Sequence, residues 1–191
     1  LSYVYLSFVE KLSYNLKKIF QIEPSLGIAE KNELCDVIDS GWFTEAKKTR
    51  EFEQRFAKFT GSKYACVVTS GTAGLYLGLL AMNIKNNDDV IVPDLTFIAS
   101  PNSIQAVGAK PILCDIEKKS LNIDIENLEK KITKKTKAIM IVNFNGRSTG
   151  MKQLHELAKK YNLKLIEDAA HSLGSYYGNK HQGTKSDIGV F

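Results

Sequence analysis

A chain of 191 residues is long enough for one sizeable domain with a real core. At 43% hydrophobic and 25% charged residues it has the composition of an ordinary soluble globular protein, with no internal repeat or low-complexity tract. The net charge of +5 comes from lysines spread along the chain, with no arginine-rich or aromatic-interleaved patch, so no nucleic-acid partner is expected.

Residues 1–22 read as a helical N-terminal extension. Its apolar residues are interrupted by Glu10, Lys11, Lys17 and Lys18, so it is neither a signal peptide nor a membrane span, and no membrane partner is expected. The chain starts at Leu1 without a methionine and stops at Phe191 inside a predicted strand, which reads as a piece of a longer protein. A helix is predicted over 29–40, with Leu34, Val37 and Ile38 on one face and Gly41 as its stop. A second, over 48–60, places Phe52, Phe56 and Phe59 at helical spacing, which predicts core packing.

From Tyr64 onward strand and helix alternate. Strands are predicted at 64–68, 89–92, 111–114, 138–142, 163–167 and 187–191, and helices at 72–82, 100–107, 125–132 and 150–160. In the second of these helices Ser100 is a natural N-cap, Pro101 suits the first helical position and Gly108 suits the stop. The cations of Lys130 to Lys137 suit the end of the third helix and a solvated face. Short, Val- and Ile-rich strands between helices predict an α/β three-layer (α/β/α) sandwich with a mostly parallel sheet. Residues 23–191 are read as that one domain. Cys35, Cys66 and Cys114 fall at unrelated spacings on apolar segments, so buried free thiols in a reducing cytoplasm are expected rather than disulfides or a metal site.

In such sheets ligands bind beyond the carboxyl ends of the strands. Four polar or aromatic features fall at that edge: Ser70–Ala73, Thr96-Phe97, Asn143–Arg147 and Glu167–His171. The Ser70-Gly71-Thr72-Ala73 turn opens directly into a helix, where free N–H groups and the helix dipole suit a phosphate; an ordinary strand-to-helix turn has the same look. Asp168 ends an apolar strand, so its carboxylate needs a cationic or donor partner, such as a protonated pyridine nitrogen, or else it caps a following helix. His171 lies close enough to reach the same ligand or to fill a hydrogen-bonded core position. Phe97 suits stacking on a planar ring or plain core. A phosphate turn, a stacking aromatic and an Asp for a ring nitrogen together describe a pyridoxal phosphate site. A dinucleotide site fits less well, because the turn is not G-x-G-x-x-G.

The chain resembles the DegT/DnrJ/EryC1/StrS family of pyridoxal-phosphate sugar aminotransferases, which have the aspartate-aminotransferase fold (fold type I). The resemblance runs from about Glu23 to Phe191. It rests on the order and spacing of Ser40-Gly41-Trp42, Ser70-Gly71-Thr72-Ala73, Thr96-Phe97, Gly108-Ala109-Lys110-Pro111, Glu167-Asp168-Ala169-Ala170-His171 and Asp187-Ile188-Gly189-Val190-Phe191. It implies that Gly71, Thr72 and Ala73 hold the cofactor phosphate and that Phe97 stacks on the ring. It also implies that Asp168 binds the ring nitrogen and that His171 lies near the phenolic oxygen. It further implies glutamate and a nucleotide-diphosphate keto sugar as substrates, a cytoplasmic homodimer, and products for surface polysaccharides or other glycoconjugates. A dehydratase of the same family, or a non-catalytic binding protein on this fold, are the other readings. The chain departs from the family in having Ala46-Lys47 where a Gly-Pro pair is common, and Asn143-Phe144-Asn145-Gly146 where His-Leu-Tyr-Gly is common. The Schiff-base lysine is expected beyond Phe191, together with the seventh strand and a small domain, and Lys180 and Lys185 are not assigned to its role. The 191 residues alone are therefore expected to be poorly stable and inactive.

Overall fold

The computed structural model describes residues 20, 23–44 and 46–191; the predicted N-terminal helical extension lies almost wholly outside them. Two compact units are formed, up to Ala46 and from Lys47. In the first, helix α1 (Ile28–Asp39) starts at Gly27, whose N–H donates to Glu30 Oε2 at 2.7 Å, and stops at Gly41, where φ is +65°. No residue of α1 is buried. Leu34 and Ile38 are exposed, and Cys35 is exposed rather than buried as expected. Among the described residues of this unit no second helix or strand is present to cover an apolar face.

The second unit is built on helices α2 (Lys47–Thr60), α3 (Gly71–Ala81), α4 (Ala99–Ala106), α5 (Ile125–Lys131) and α6 (Met151–Tyr161). Between them run strands β1 (Asp89–Pro93), β2 (Lys110–Cys114), β3 (Thr136–Val142) and β4 (Lys164–Asp168), a small hairpin of β5 (Tyr176–Tyr177) and β6 (Lys180–His181), and β7 (Ile188–Val190). Five strands make one parallel sheet in the order β2-β1-β3-β4-β7. Alternate residues of each strand serve opposite faces. Val90, Val92, Met140 and Ile166 pack with Leu75 and Leu79 of α3 and Ile104 of α4. Their neighbours Ile91, Ile139, Ile141 and Leu165 pack with Leu128 of α5 and Leu154 and Leu157 of α6. The expected three-layer sandwich is thus present.

Four expectations need correction. Residues 64–68 form no strand, because a strand needs a ladder partner and none of the described residues pairs with them. Cys66, in this segment, is exposed. The segment is tied at Val67, whose N–H donates to Glu53 Oε1 of α2 at 2.9 Å. The phenylalanine stripe of α2 is also not core: Phe52 and Phe59 are each 56% exposed, and Phe56 is half-buried, meeting the edge of Phe191 at 5.0 Å between ring centroids. Finally, α4 begins at Ala99 with no side-chain cap, and Ser100 lies inside its first turn. Only Cys114 follows the cysteine expectation, and burial pushes its thiol up to about 12.

The Val67 amide and then the Arg50 guanidinium hold the Glu53 carboxyl below its ordinary value of 4.5. Its contribution is therefore complete above that value and is lost as pH falls through the depressed one. Hydrogen exchange at Val67 is expected to accelerate, relative to β3 amides, when pH drops from neutral to 3. Glu53→Ala, which removes the acceptor, should show the faster exchange already at neutral pH.

Candidate functional site

All five parallel strands end at one edge, and the chain there carries the polar residues singled out from the sequence. Helix α3 reaches that edge because two glycines let it lie close on the sheet. A Cβ at Gly74 would sit 2.7 Å from Val190 Cγ1, and one at Gly78 would sit 2.9 Å from Ile166 Cδ1. The first turn of α3 consequently stands beside the end of β7. Ser70 is extended and caps the helix, its Oγ accepting from the Ala73 N–H at 3.1 Å. The amides of Gly71 and Thr72 have no acceptor among the described residues, and a Cβ at Gly71 would meet nothing within 4 Å. The positive end of an eleven-residue helix therefore carries two free donors.

Asp168, the last residue of β4, is 8% exposed and lies on the same side of the sheet as α3 and α4. Ser100 Oγ donates to its Oδ2 at 2.8 Å, and the Ala170 N–H donates to its Oδ1 at 3.3 Å. No helix follows Ala169, which removes the capping alternative. Among the described residues it forms no ion pair. A nearly buried carboxylate held only by neutral donors has room for a cationic partner, and a protonated ring nitrogen is one.

Phe97 follows β1 and is 75% exposed, so the alternative of plain core packing is excluded. Ser100 was legible only as a cap; its bond to a residue 68 positions away is visible only in three dimensions. His171 is exposed, with its Nδ1 accepting from the Asn145 N–H at 3.4 Å and its ring edge-on to Phe144 at 5.8 Å. It joins the Asn143–Arg147 loop and not Asp168. That loop is itself pinned by buried Asn122, which accepts from the Phe144 N–H at 3.0 Å and donates to the Arg147 carbonyl at 3.2 Å. The role of Asn122 carried no sequence signal.

Glu167 adjoins Asp168 in the chain, yet strand alternation turns it to the other face. Fully buried there, it accepts from Asn143 Nδ2 at 2.9 Å, the Gly183 N–H at 2.8 Å and the Lys185 N–H at 3.1 Å. Lys185 Nζ lies over the Tyr177 ring, 4.4 Å from its centroid, and Lys180 sits in the β5–β6 hairpin. Among the described residues no cluster of three or more His, Cys, Asp or Glu is placed to hold a metal ion, and no helix is long and apolar enough to cross a membrane.

A sequence profile of the DegT/DnrJ/EryC1/StrS aminotransferase family matches residues 24–191. The chain belongs to this family. GDP-perosamine synthase of Escherichia coli O157:H7 is 42% identical over 177 residues, which is 92% of this chain and 49% of that one. The aminotransferase from Psychrobacter cryohalolentis superposes with a TM-score of 0.84 at 34% identity, over 88% of this chain and 43% of that chain. E. coli GDP-4-keto-6-deoxy-D-mannose-3-dehydratase, with bound hydrated PLP, gives the same TM-score at 30% identity, over 90% of this chain and 46% of its own. The chain thus spans about half the length of the curated relatives it matches. Its sandwich is the large-domain architecture of fold-type-I pyridoxal phosphate enzymes, and pyridoxal phosphate is the family's cofactor.

Proposed function

We propose that residues 23–191 form the cofactor-binding large domain of a pyridoxal-phosphate sugar aminotransferase. The protein would move an amino group from glutamate to a nucleotide-linked keto sugar for polysaccharide or glycoconjugate synthesis. The observation that carries this reading is a nearly buried, cation-free Asp168 on the same sheet edge and face as the free amides of α3. Gly71 and Thr72 take the phosphate through those amides, with Ala73 sharing its own with Ser70. Phe97 covers one face of the ring, Asp168 receives the ring N–H, and His171 stands near the phenolic oxygen. When bound, the cofactor supplies an electron sink for the amino-group chemistry. The chain's part is to bind the phosphate, orient the ring and hold the proton on its nitrogen. The lysine that joins the cofactor covalently is assigned to a segment beyond Phe191, in the half of the longer relatives that this chain does not span. A cytoplasmic homodimer is the working form.

The dehydratase neighbour supports a second reading on the same site, in which histidine replaces that lysine. The two readings part at one residue and one assay. The full protein, incubated with glutamate and a panel of nucleotide-linked 4-keto sugars, is expected to yield amino sugar; a deoxy sugar product would support the dehydratase instead.

The phosphate assignment has its own test in Gly71→Asp. Nothing lies within 4 Å of the added side chain's first atom, and an acidic residue in the first turn suits the helix dipole, so folding is unharmed. Pyridoxal phosphate affinity should fall roughly tenfold or more through like-charge repulsion, while that for unphosphorylated pyridoxal stays unchanged. Equal losses for both would refute the assignment.

A further inference from the structure

Ser100 is fully buried and spends its hydroxyl proton on Asp168 Oδ2 at 2.8 Å. A second hydroxyl, Thr96 Oγ1, lies 2.8 Å from Ser100 Oγ. Because Ser100 gives its one proton to Asp168, the Thr96 hydroxyl is the donor within the Thr96–Ser100 pair, and its other acceptor, the Phe97 carbonyl at 3.3 Å, is the longer contact. The result is a one-way chain, Thr96 to Ser100 to Asp168, in which each bond polarises the next. Helix α4 meanwhile lacks a side-chain cap, although a serine suited to capping lies at its second position.

We propose that Ser100, steered by Thr96, is a positioning residue that fixes the Asp168 carboxylate for the cofactor's ring nitrogen. The inference rests on the reading that pyridoxal phosphate occupies this edge. Asp168 is the end of a strand, and its other tether, from the Ala170 N–H, is long at 3.3 Å. Without Ser100 the carboxylate would be free to rotate about its side-chain torsions, and its orientation would depend on that single weak bond. The chain of hydroxyls also joins the two ends of the ring's binding surface. Thr96 precedes Phe97, the ring-stacking residue, so one line of hydroxyls sets the spacing between the stacking face and the nitrogen partner.

The experiment compares pyridoxal phosphate with its 1-deaza analogue, whose ring has CH in place of nitrogen, by equilibrium dialysis against the full protein. Wild type should prefer pyridoxal phosphate, and absence of that preference would overturn the Asp168 assignment itself. Ser100→Ala is expected to reduce the preference roughly tenfold, the scale of one hydrogen bond to a charged group, with deaza-analogue affinity unchanged. A merely structural role would weaken both ligands alike. Thr96→Val is expected to lower the preference several-fold and Thr96→Ser to restore it, which decides the matter should Ser100→Ala fail to fold. An unchanged preference in Ser100→Ala, or in Thr96→Val where Ser100→Ala does not fold, overturns the proposal.

Discussion

Asp168→Asn is expected to weaken pyridoxal phosphate binding by roughly 200- to 5,000-fold while leaving the fold intact. Removing one member of a desolvated charge pair costs on the order of 3–5 kcal/mol, because the other charge stays buried and unpaired. Here the stranded charge is the protonated ring nitrogen. The protein itself loses little, since the asparagine carbonyl can still accept from Ser100 Oγ. Thermal stability should therefore hold. Equilibrium dialysis alongside a melting curve separates the two effects, and a variant that binds as tightly as wild type would remove Asp168 from the site.

Gly189→Ala is expected to destabilise the chain by at least about 3 kcal/mol, in the range reached by severe overpacking. Gly189 lies in β7, paired with Glu167, and a Cβ there would overlap the Gly183 carbonyl oxygen far inside van der Waals contact. That obstacle is backbone, and it cannot retreat. Gly183 has φ of +81° and its N–H is held by Glu167 Oε2, while the next tether, from the Lys185 N–H, goes to Glu167 Oε1. The substitution sets β7 against the loop that Glu167 anchors. Urea-induced unfolding measures the loss, and Gly71→Ala, with nothing within 4 Å, is the control expected to remain near wild type.

Local sequence was enough to place many of the elements. Short, Val- and Ile-rich apolar runs located β1 to β4, and Gly41 and Gly108 marked helix stops that the structure confirms with φ of +65° and +80°. The Ser70–Ala73 turn declared its helix N-terminus through residues adjacent in the chain, and the Asp168 strand end was evident from the run before it. Exposure could not be read this way. The stripes on α1 and α2 have the spacing of a core face, but spacing says only that a face is apolar and not whether anything covers it. Residues 64–68 likewise have the composition of a strand, yet a strand exists only with a neighbour to bond.

The sequence by itself determined the sandwich, the edge at which its loops converge, and the residue types available for a phosphate and a ring nitrogen. These come from periodicity and from turn chemistry, which act over a few residues. Only the tertiary structure decided that Ser100 serves Asp168 instead of capping α4, that Glu167 clamps the loop at Gly183 while Asp168 faces α3, and that Asn122 holds the Asn143–Arg147 loop. Each of those bonds links positions 16 to 68 residues apart. A side chain's partner at that distance is chosen by how the strands are ordered and which face each residue meets, and neither is written in its immediate neighbours.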